Sequence, residues 1–237
     1  MRIGVVVFPD ANSDVDSLNA LAVAGVEPVR LWHESPDLQG VSAVILPGGF
    51  SYGDYLRAGV IARFSPVMRG VSDFASRGGH VLGICNGFQV LAEARLVPGA
   101  LLRNRSLRFA GRMIAIKPER LDSAFTSAAT GAPLHVPVAH GEGCYYADDE
   151  TLDEIEGNGQ VLFRYVHDDG TVATDPDDPA NPNGSLRAIA GVCNAAGNVA
   201  GLMPHPERMC EPVLGRDDGM QVIRSLVESA RAWQAAR

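Results

Sequence analysis

The sequence predicts an α/β fold: one domain, residues 1–237, with a mostly parallel sheet covered by helices on both faces and an antiparallel hairpin portion added in the second half. Three observations carry that prediction. Over the first ninety or so residues, short apolar runs alternate with helical patterns, as successive strand–helix units do. Some of those runs, Val41–Leu46 and His80–Ile84 among them, lack polar alternation, the mark of strands buried on both faces. In the second half, the Leu186–Asn194 and Val199–Met203 runs are joined through Ala-Ala-Gly, which suits a hairpin.

In chain order, Arg2–Phe8 is a strand. Asn12 to Val23 follows as a helix, with Ser13 and Asp16 in capping-box register and Leu18, Leu21 and Ala22 as its apolar stripe. Pro28–Trp32 and Val41–Leu46 are strands, the second ending at Pro47-Gly48-Gly49. A helical region runs from Ala58 to Arg77, and the His80–Ile84 strand leads into a helix around Gly87–Ala94. Further strands are expected at Arg112–Lys117, Leu134–Ala139 and Val161–Val166. Asp168 to Gly184, rich in Asp, Pro, Gly and Asn, is a long loop. Met220, Ile223, Val227 and Ala230 recur at helical spacing and end the chain in an amphipathic helix.

Composition removes several classes of function. Hydrophobic residues at 46% and charged residues at 20% belong to a globular chain rather than a disordered one. A net charge of −8 disfavours nucleic acid as a main partner, since phosphate backbones are bound by basic surface. No apolar run approaches the roughly 20 residues of a membrane helix. The opening MRIGVVVFPD runs into Pro9 and Asp10 as a first strand, not as a signal peptide, so the chain is expected in the cytoplasm. Cys85, Cys144, Cys193 and Cys210 lie far apart without a C-x-x-C pair, so neither a metal site nor a disulfide framework is expected.

One cysteine has a context of its own. In Leu82–Gln89, LGICNGFQ, a buried strand stops at Cys85, with Gly83 two residues before and Gly87 two after. G-x-C-x-G matches the steric frame of a nucleophile elbow, a sharp strand-to-helix turn that closes only when both flanking positions are small. Such a turn lifts the sulfur out of the sheet beside a helix N-terminus, where unpaired N–H groups favour negative charge. The Asn86 N–H is then placed to meet a developing oxyanion. Taken alone, the pentapeptide fits equally a buried strand-end cysteine between packing glycines.

A base with an orienting carboxylate stands near the C-terminus, in Met203-Pro204-His205-Pro206-Glu207. Residues before proline are extended, and in extended backbone side chains two apart share a face. His205 and Glu207 can therefore address one site as base and orienter. Gly48 and Gly49 follow another strand's carboxyl end, where glycine allows close backbone approach and a second oxyanion donor.

Together the PGG loop, the elbow followed by Gln89, and the H-P-E stretch resemble the class I, triad-type glutamine amidotransferases over nearly the whole chain. The resemblance implies a flavodoxin-like fold in which Cys85 attacks the glutamine side-chain amide, His205 serves as acid and base, and Gln89 with Gly48–Gly49 helps hold glutamine. Gly48–Gly59, Asn104–Phe109 (NRSLRF), Ala139–Gly143 (AHGEG), Asn181–Ser185 (NPNGS) and the MPHPER ending are similar to one branch of that family, the glutaminase subunits of phosphoribosylformylglycinamidine synthase. That branch implies a separate large synthetase subunit that binds ATP and Mg2+, receives the ammonia and converts formylglycinamide ribonucleotide to the amidine in purine synthesis. It also implies that a third small subunit can join. The chain itself has no G-x-x-x-x-G-K-[ST] phosphate loop and is expected to hold no cofactor. A glutaminase serving another synthase, or an inactive regulatory subunit on the same fold, is the competing reading. AHGEG fits a subunit interface, the glutamine site or a plain turn, and NPNGS fits a turn with positive φ at Asn-Gly.

Overall fold

The apolar runs of the first half are strands in the computed structural model, which describes residues 1–237. The elements are β1 (Arg2–Val7), α1 (Asp14–Val23), β2 (Glu27–Trp32), β3 (Ala43–Leu46), α2 (Pro66–Ser76), β4 (His80–Ile84) and α3 (Asn86–Glu93). They continue with β5 (Ala100–Leu102), β6 (Ala110–Pro118), β7 (Leu134–His140), β8 (Cys144–Tyr146), α4 (Asp149–Gly157) and β9 (Val161–Val166). β10 (Ile189–Cys193), β11 (Val199–Leu202) and α5 (Met220–Ala235) complete the chain.

Nine strands form one sheet in the order β2-β1-β3-β4-β11-β10-β9-β6-β7, and β5 pairs with β8 in a small ribbon. From β2 to β11 all neighbours are parallel; from β11 to β7 all are antiparallel. The antiparallel portion is thus a four-strand continuation of the same sheet, larger than the hairpin the sequence suggests. A cluster of 60 buried residues runs through both halves. α5 buries Met220, Ile223, Leu226, Val227 and Ala230 against it, each large side chain contributing about 1.5–3 kcal/mol.

Local differences from the sequence reading have physical causes. α1 starts at Asp14, and the Ser13 side chain makes no capping bond. Its buried stripe is Ser17, Ala20 and Leu21, and Ala22 faces solvent. The region before α2 is irregular until a 3-10 turn at Ala62–Phe64; helix proper begins at Pro66, whose missing N–H costs nothing in a first turn. Residues Leu186–Ala188 form a 3-10 turn with Arg187 and Ala188 at positive φ, so strand pairing begins only at Ile189.

α3 and α5 cover opposite faces of β4. Gly83 lies under α3, where an added Cβ would sit 2.6 Å from both the Gly87 oxygen and the Leu91 Cδ1. His80, three residues earlier on the strand, turns to the other face and meets Trp233 of α5 edge-on at 6.5 Å. Gly201 pairs in register with Gly83 and makes room for the Phe88 ring of α3. A Cβ on Gly87 would collide with the Leu46 carbonyl oxygen. Three glycines therefore let α3 lie directly on β3, β4 and β11.

Gly87→Ala should cost about 1–3 kcal/mol of unfolding free energy, since overpacking here meets backbone that cannot rotate aside. Urea denaturation would measure it, and parent-like stability would show that α3 can lift off without penalty.

Candidate active site

Register brings three chain segments together. Leu46 of β3 pairs with Gly83 of β4, and Leu202 of β11 pairs with Ile84, so the carboxyl ends of three adjacent parallel strands are level to within a residue or so. Gly48–Gly49, Cys85 and His205 follow those ends directly. Carboxyl ends of parallel strands are where open α/β sheets bind ligands.

Cys85 turns sharply from β4 into α3 with φ 50° and ψ −107°, a left-handed conformation that L residues adopt only under constraint. Its N–H donates to Leu202 O at 2.8 Å, and its Sγ lies 3.8 Å from Ala139 O. His205 is buried, with Nδ1 2.6 Å from Glu207 Oε1 and Nε2 free of any partner. Burial pushes the imidazolium down, but the Glu207 carboxylate and then the Cys85 sulfur outweigh it and raise the His205 pKa to about 10. His205 therefore carries a proton at neutral pH. Gly48 lies against this ring: a Cβ there would stand 2.6 Å from His205 Cε1. The pairing of His205 with Glu207 comes from a 3-10 turn at Pro206–Arg208 rather than from an extended strand face.

Beside the thiol is a cavity of about 190 Å³ lined by Gly49, Asp54, Cys85, Gln89, Phe109, His140, Glu142 and their neighbours. A belt of hydrogen bonds encircles it. Asn86 Nδ2 donates to Asp54 Oδ1 at 3.1 Å and to Gln89 Oε1 at 2.8 Å; Asn86 Oδ1 accepts from Ser51 N at 3.1 Å; Gln89 Nε2 donates to Glu142 O at 2.5 Å. α3 thus pins both flanking loops. The backbone N–H groups of Gly49 and Asn86 donate to no protein acceptor. All seven residues singled out in the sequence lie at this site; Gly49 and Gln89 line the cavity, whereas Gly48 lies under the imidazole. The two carboxylates, Asp54 and Glu142, were not among them. Burial, then the charge of Glu142, pushes the Asp54 carboxyl up to about 6 against the lowering hydrogen bond from Asn86.

The family model described as the CobB/CobQ-like glutamine amidotransferase domain matches residues 1–233. The chain belongs to this glutamine amidotransferase family. It is 54% identical over 232 residues to "Phosphoribosylformylglycinamidine synthase subunit PurQ" of Rubrobacter xylanophilus, covering 98% of this chain and 100% of that one. A protein of the same name from Gloeobacter violaceus is 54% identical, over 98% of this chain and 99% of its own. Among solved structures, a chain of PurLQS from Thermotoga maritima superposes with a TM-score of 0.82 at 40% identity, covering 96% of this chain and 97% of that one.

In this amidotransferase the motifs left open by the sequence converge behind the cavity. Asn104 is fully buried; its Nδ2 donates to His140 O at 2.8 Å and its Oδ1 accepts from Gly143 N at 2.9 Å. Asn183 Oδ1 accepts from Ser185 Oγ at 2.7 Å, so its Nδ2 is the group that faces His140 Nε2 and Tyr165 OH, each at 3.0 Å. NPNGS is therefore a buried polar support for the His140–Gly143 segment as well as a turn with Gly184 at φ 83°. Burial, with His205 as a second cause, lowers the His140 pKa to about 3, keeping that ring neutral. Only spacing within the short motifs hinted at this network, because its partners lie tens of residues apart. In the other three cysteines burial is the leading cause: it raises the thiols of Cys144 and Cys193 and, with the carboxylates of Glu207, Glu211 and Asp217, pushes that of Cys210 up to about 12.

Glu207→Gln should bring the His205 pKa down from about 10 toward its ordinary 6.5, because burial would then be opposed by Cys85 alone. An NMR titration of the imidazole measures this, and an unchanged curve would mean that the charge on His205 has another source.

Proposed function

We propose that residues 1–237 work as one glutaminase domain, the subunit of a phosphoribosylformylglycinamidine synthase that releases ammonia from glutamine. The observation that carries the chemistry is the buried His205–Glu207 pair set against the Cys85 elbow at the cavity. The near-full-length identity to proteins named as PurQ supports the choice of synthase.

Cys85 Sγ, its thiol proton held on His205, attacks the side-chain amide carbon of glutamine, and the carbonyl electrons move onto oxygen. The free N–H groups of Gly49 and Asn86 stabilise that oxyanion. His205, protonated and held by Glu207, gives a proton to the nitrogen as the C–N bond breaks and ammonia leaves. A water then attacks the γ-glutamyl thioester with His205 as base, the C–S bond breaks, and glutamate departs. Asp54 and Glu142 supply negative charge for the substrate's α-ammonium, and Gln89 keeps the Glu142 segment in place.

The ammonia passes to a large synthetase subunit, which holds ATP and Mg2+ and aminates formylglycinamide ribonucleotide; a third small subunit is compatible with this arrangement. The loops flanking the cavity support such a partner, for they expose Tyr55, Leu56 and Leu107 at 75%, 93% and 79%, an apolar rim of the kind that marks interfaces. No helix is long and apolar enough to cross a membrane. A nucleophilic thiol with three further free cysteines suits the reducing cytoplasm, where we place its activity.

A glutamine-mimicking electrophile should add once to the wild type and not to Cys85→Ala, read by intact mass with and without the synthetase subunit. No adduct in either state would remove the glutaminase reading. The Asp54 carboxyl takes up its proton as pH falls through about 6, so the KM for glutamine should rise on that acid side. Asp54→Asn should raise KM at neutral pH and flatten the acid limb; a KM indifferent to both would take Asp54 out of the substrate site.

A further inference from the structure

Ser13 and Asp16 stand where a capping box belongs, yet neither closes the start of α1. Ser at a helix N-cap normally accepts a bond from the first-turn N–H groups, and here it does not. Both side chains turn to one residue instead. Arg208 Nη2 donates to Ser13 Oγ at 2.7 Å, and Arg208 Nε donates to Asp16 Oδ2 at 3.0 Å.

Arg208 directly follows Glu207 in the 3-10 turn, and its Nε lies 4.0 Å from Glu207 Oε1. The Glu207 side chain is wholly buried; Oε1 meets His205, and Oε2 has no hydrogen-bond partner. Apart from His205, Arg208 is the one cation within 4.0 Å of that carboxylate. A buried carboxylate with one unbonded oxygen needs opposite charge nearby to keep its place.

Ser13 reaches the other side of the site as well. Its N–H donates to Gly48 O at 3.2 Å, and its Oγ lies 3.2 Å from the point where a Gly48 Cβ would be. One guanidinium thus links the Glu207 turn, through Ser13, to the loop that carries Gly48 and Gly49. An Arg fork suits this task because its donors are fixed in one plane, whereas a lysine ammonium reaches acceptors singly and flexibly.

We propose that Arg208 is a positioning residue for the glutaminase reaction: it holds Glu207 behind His205 and, through Ser13, keeps the Gly48–Gly49 loop in register with that pair. The proposal rests on the triad reading given above. Arg208 touches neither substrate nor the reacting sulfur. Its loss should therefore slow the chemical step and leave glutamine binding nearly intact.

The test is steady-state glutaminase kinetics of the assembled synthase carrying Arg208→Gln, Arg208→Lys, Ser13→Ala or the Ser13→Ala/Arg208→Gln pair, with thermal melts of each. Arg208→Gln should lower kcat about tenfold or more with KM for glutamine changed less than about twofold, the signature of an interaction felt in the transition state. Arg208→Lys should recover part of that loss, since it keeps the charge and loses the fork. Ser13→Ala should lower kcat in the same direction, and the pair should be no slower than Arg208→Gln alone, because both changes break one linkage. Parent-like kcat in Arg208→Gln, or a loss matched by an equal rise in KM, would overturn the proposal. If Arg208→Gln does not fold, Ser13→Ala decides: an unchanged kcat there rejects the linkage. Cys85→Ala separates the two levels. If it stays active the triad reading itself fails, whereas an inactive Cys85→Ala beside a fully active Arg208→Gln removes the role of Arg208 alone.

Discussion

The parallel register of β3, β4 and β11 is the constraint on which the site depends. Backbone hydrogen bonds fix Leu46 beside Gly83 and Leu202 beside Ile84, so three segments distant in sequence leave the sheet at one level. Because these strands are buried on both faces, a one-residue shift would exchange the side chains packed under α3 with those packed on the opposite face. Here such a shift would also drive side chains into α3, since Gly83 and Gly201 are side by side beneath it. The same close approach that packs α3 on the sheet forces the turn at Cys85. The placement of Cys85 is thus a packing consequence, and it needs no contact with His205 to be established.

The antiparallel half serves the site by returning to it. β7 is the far edge strand of the nine, yet its Pro137 carbonyl accepts the His205 N–H at 2.8 Å and its Ala139 carbonyl faces Cys85. The sheet must bend back to achieve this, and the buried amides of Asn104, Asn181 and Asn183 hold the segments at the bend. Buried polar groups are normally satisfied, and an unsatisfied one costs about 1–3 kcal/mol. Four of the five side-chain atoms that lack a partner, on Ser51, His140, His205 and Glu207, belong to segments around the cavity. The interior elsewhere is satisfied almost completely, so the polar capacity left over is concentrated in the segments that surround the cavity.

Legibility in the sequence followed the range of the interactions. β4 and β9 are legible to the residue, because mostly apolar runs of strand length report burial directly. The convergence of Cys85, His205 and Glu207 is legible because elbow and H-P-E are local patterns with steric meaning. α4 was not, for Asp149–Gly157 buries only Leu152 and Ile155 and presents no stripe. β5 and β8, three residues each, leave no periodicity to detect. The capping box at Ser13 and Asp16 was misread because their true partner, Arg208, lies 192 residues beyond Asp16. Asp54 carries no such signal, for it looks like an ordinary loop acid until folding sets it at the cavity, whereas AHGEG leaves Glu142 open between the glutamine site, an interface and a plain turn, and the fold decides for the cavity.

Strain around that cavity is offset locally. Tyr52, Asp54, Leu56 and Cys85 all have positive φ without being glycine, a cost of order 1–2 kcal/mol apiece. Three of these have an identifiable restraint. Tyr52 OH is held by His33 Nδ1 at 2.7 Å and Ser65 Oγ at 2.8 Å; Asp54 is held by Asn86; Cys85 is held by Leu202 and by the seating of α3. Leu56 has no such anchor and is 93% exposed. The loop is therefore most restrained where it borders Gly49 and Cys85, and least restrained at its apolar tip. At Tyr52, Asp54 and Cys85 the surroundings over-determine a strained backbone, so these anchored residues mark the part of the site whose shape the fold fixes, whereas Leu56 carries its positive φ without such support.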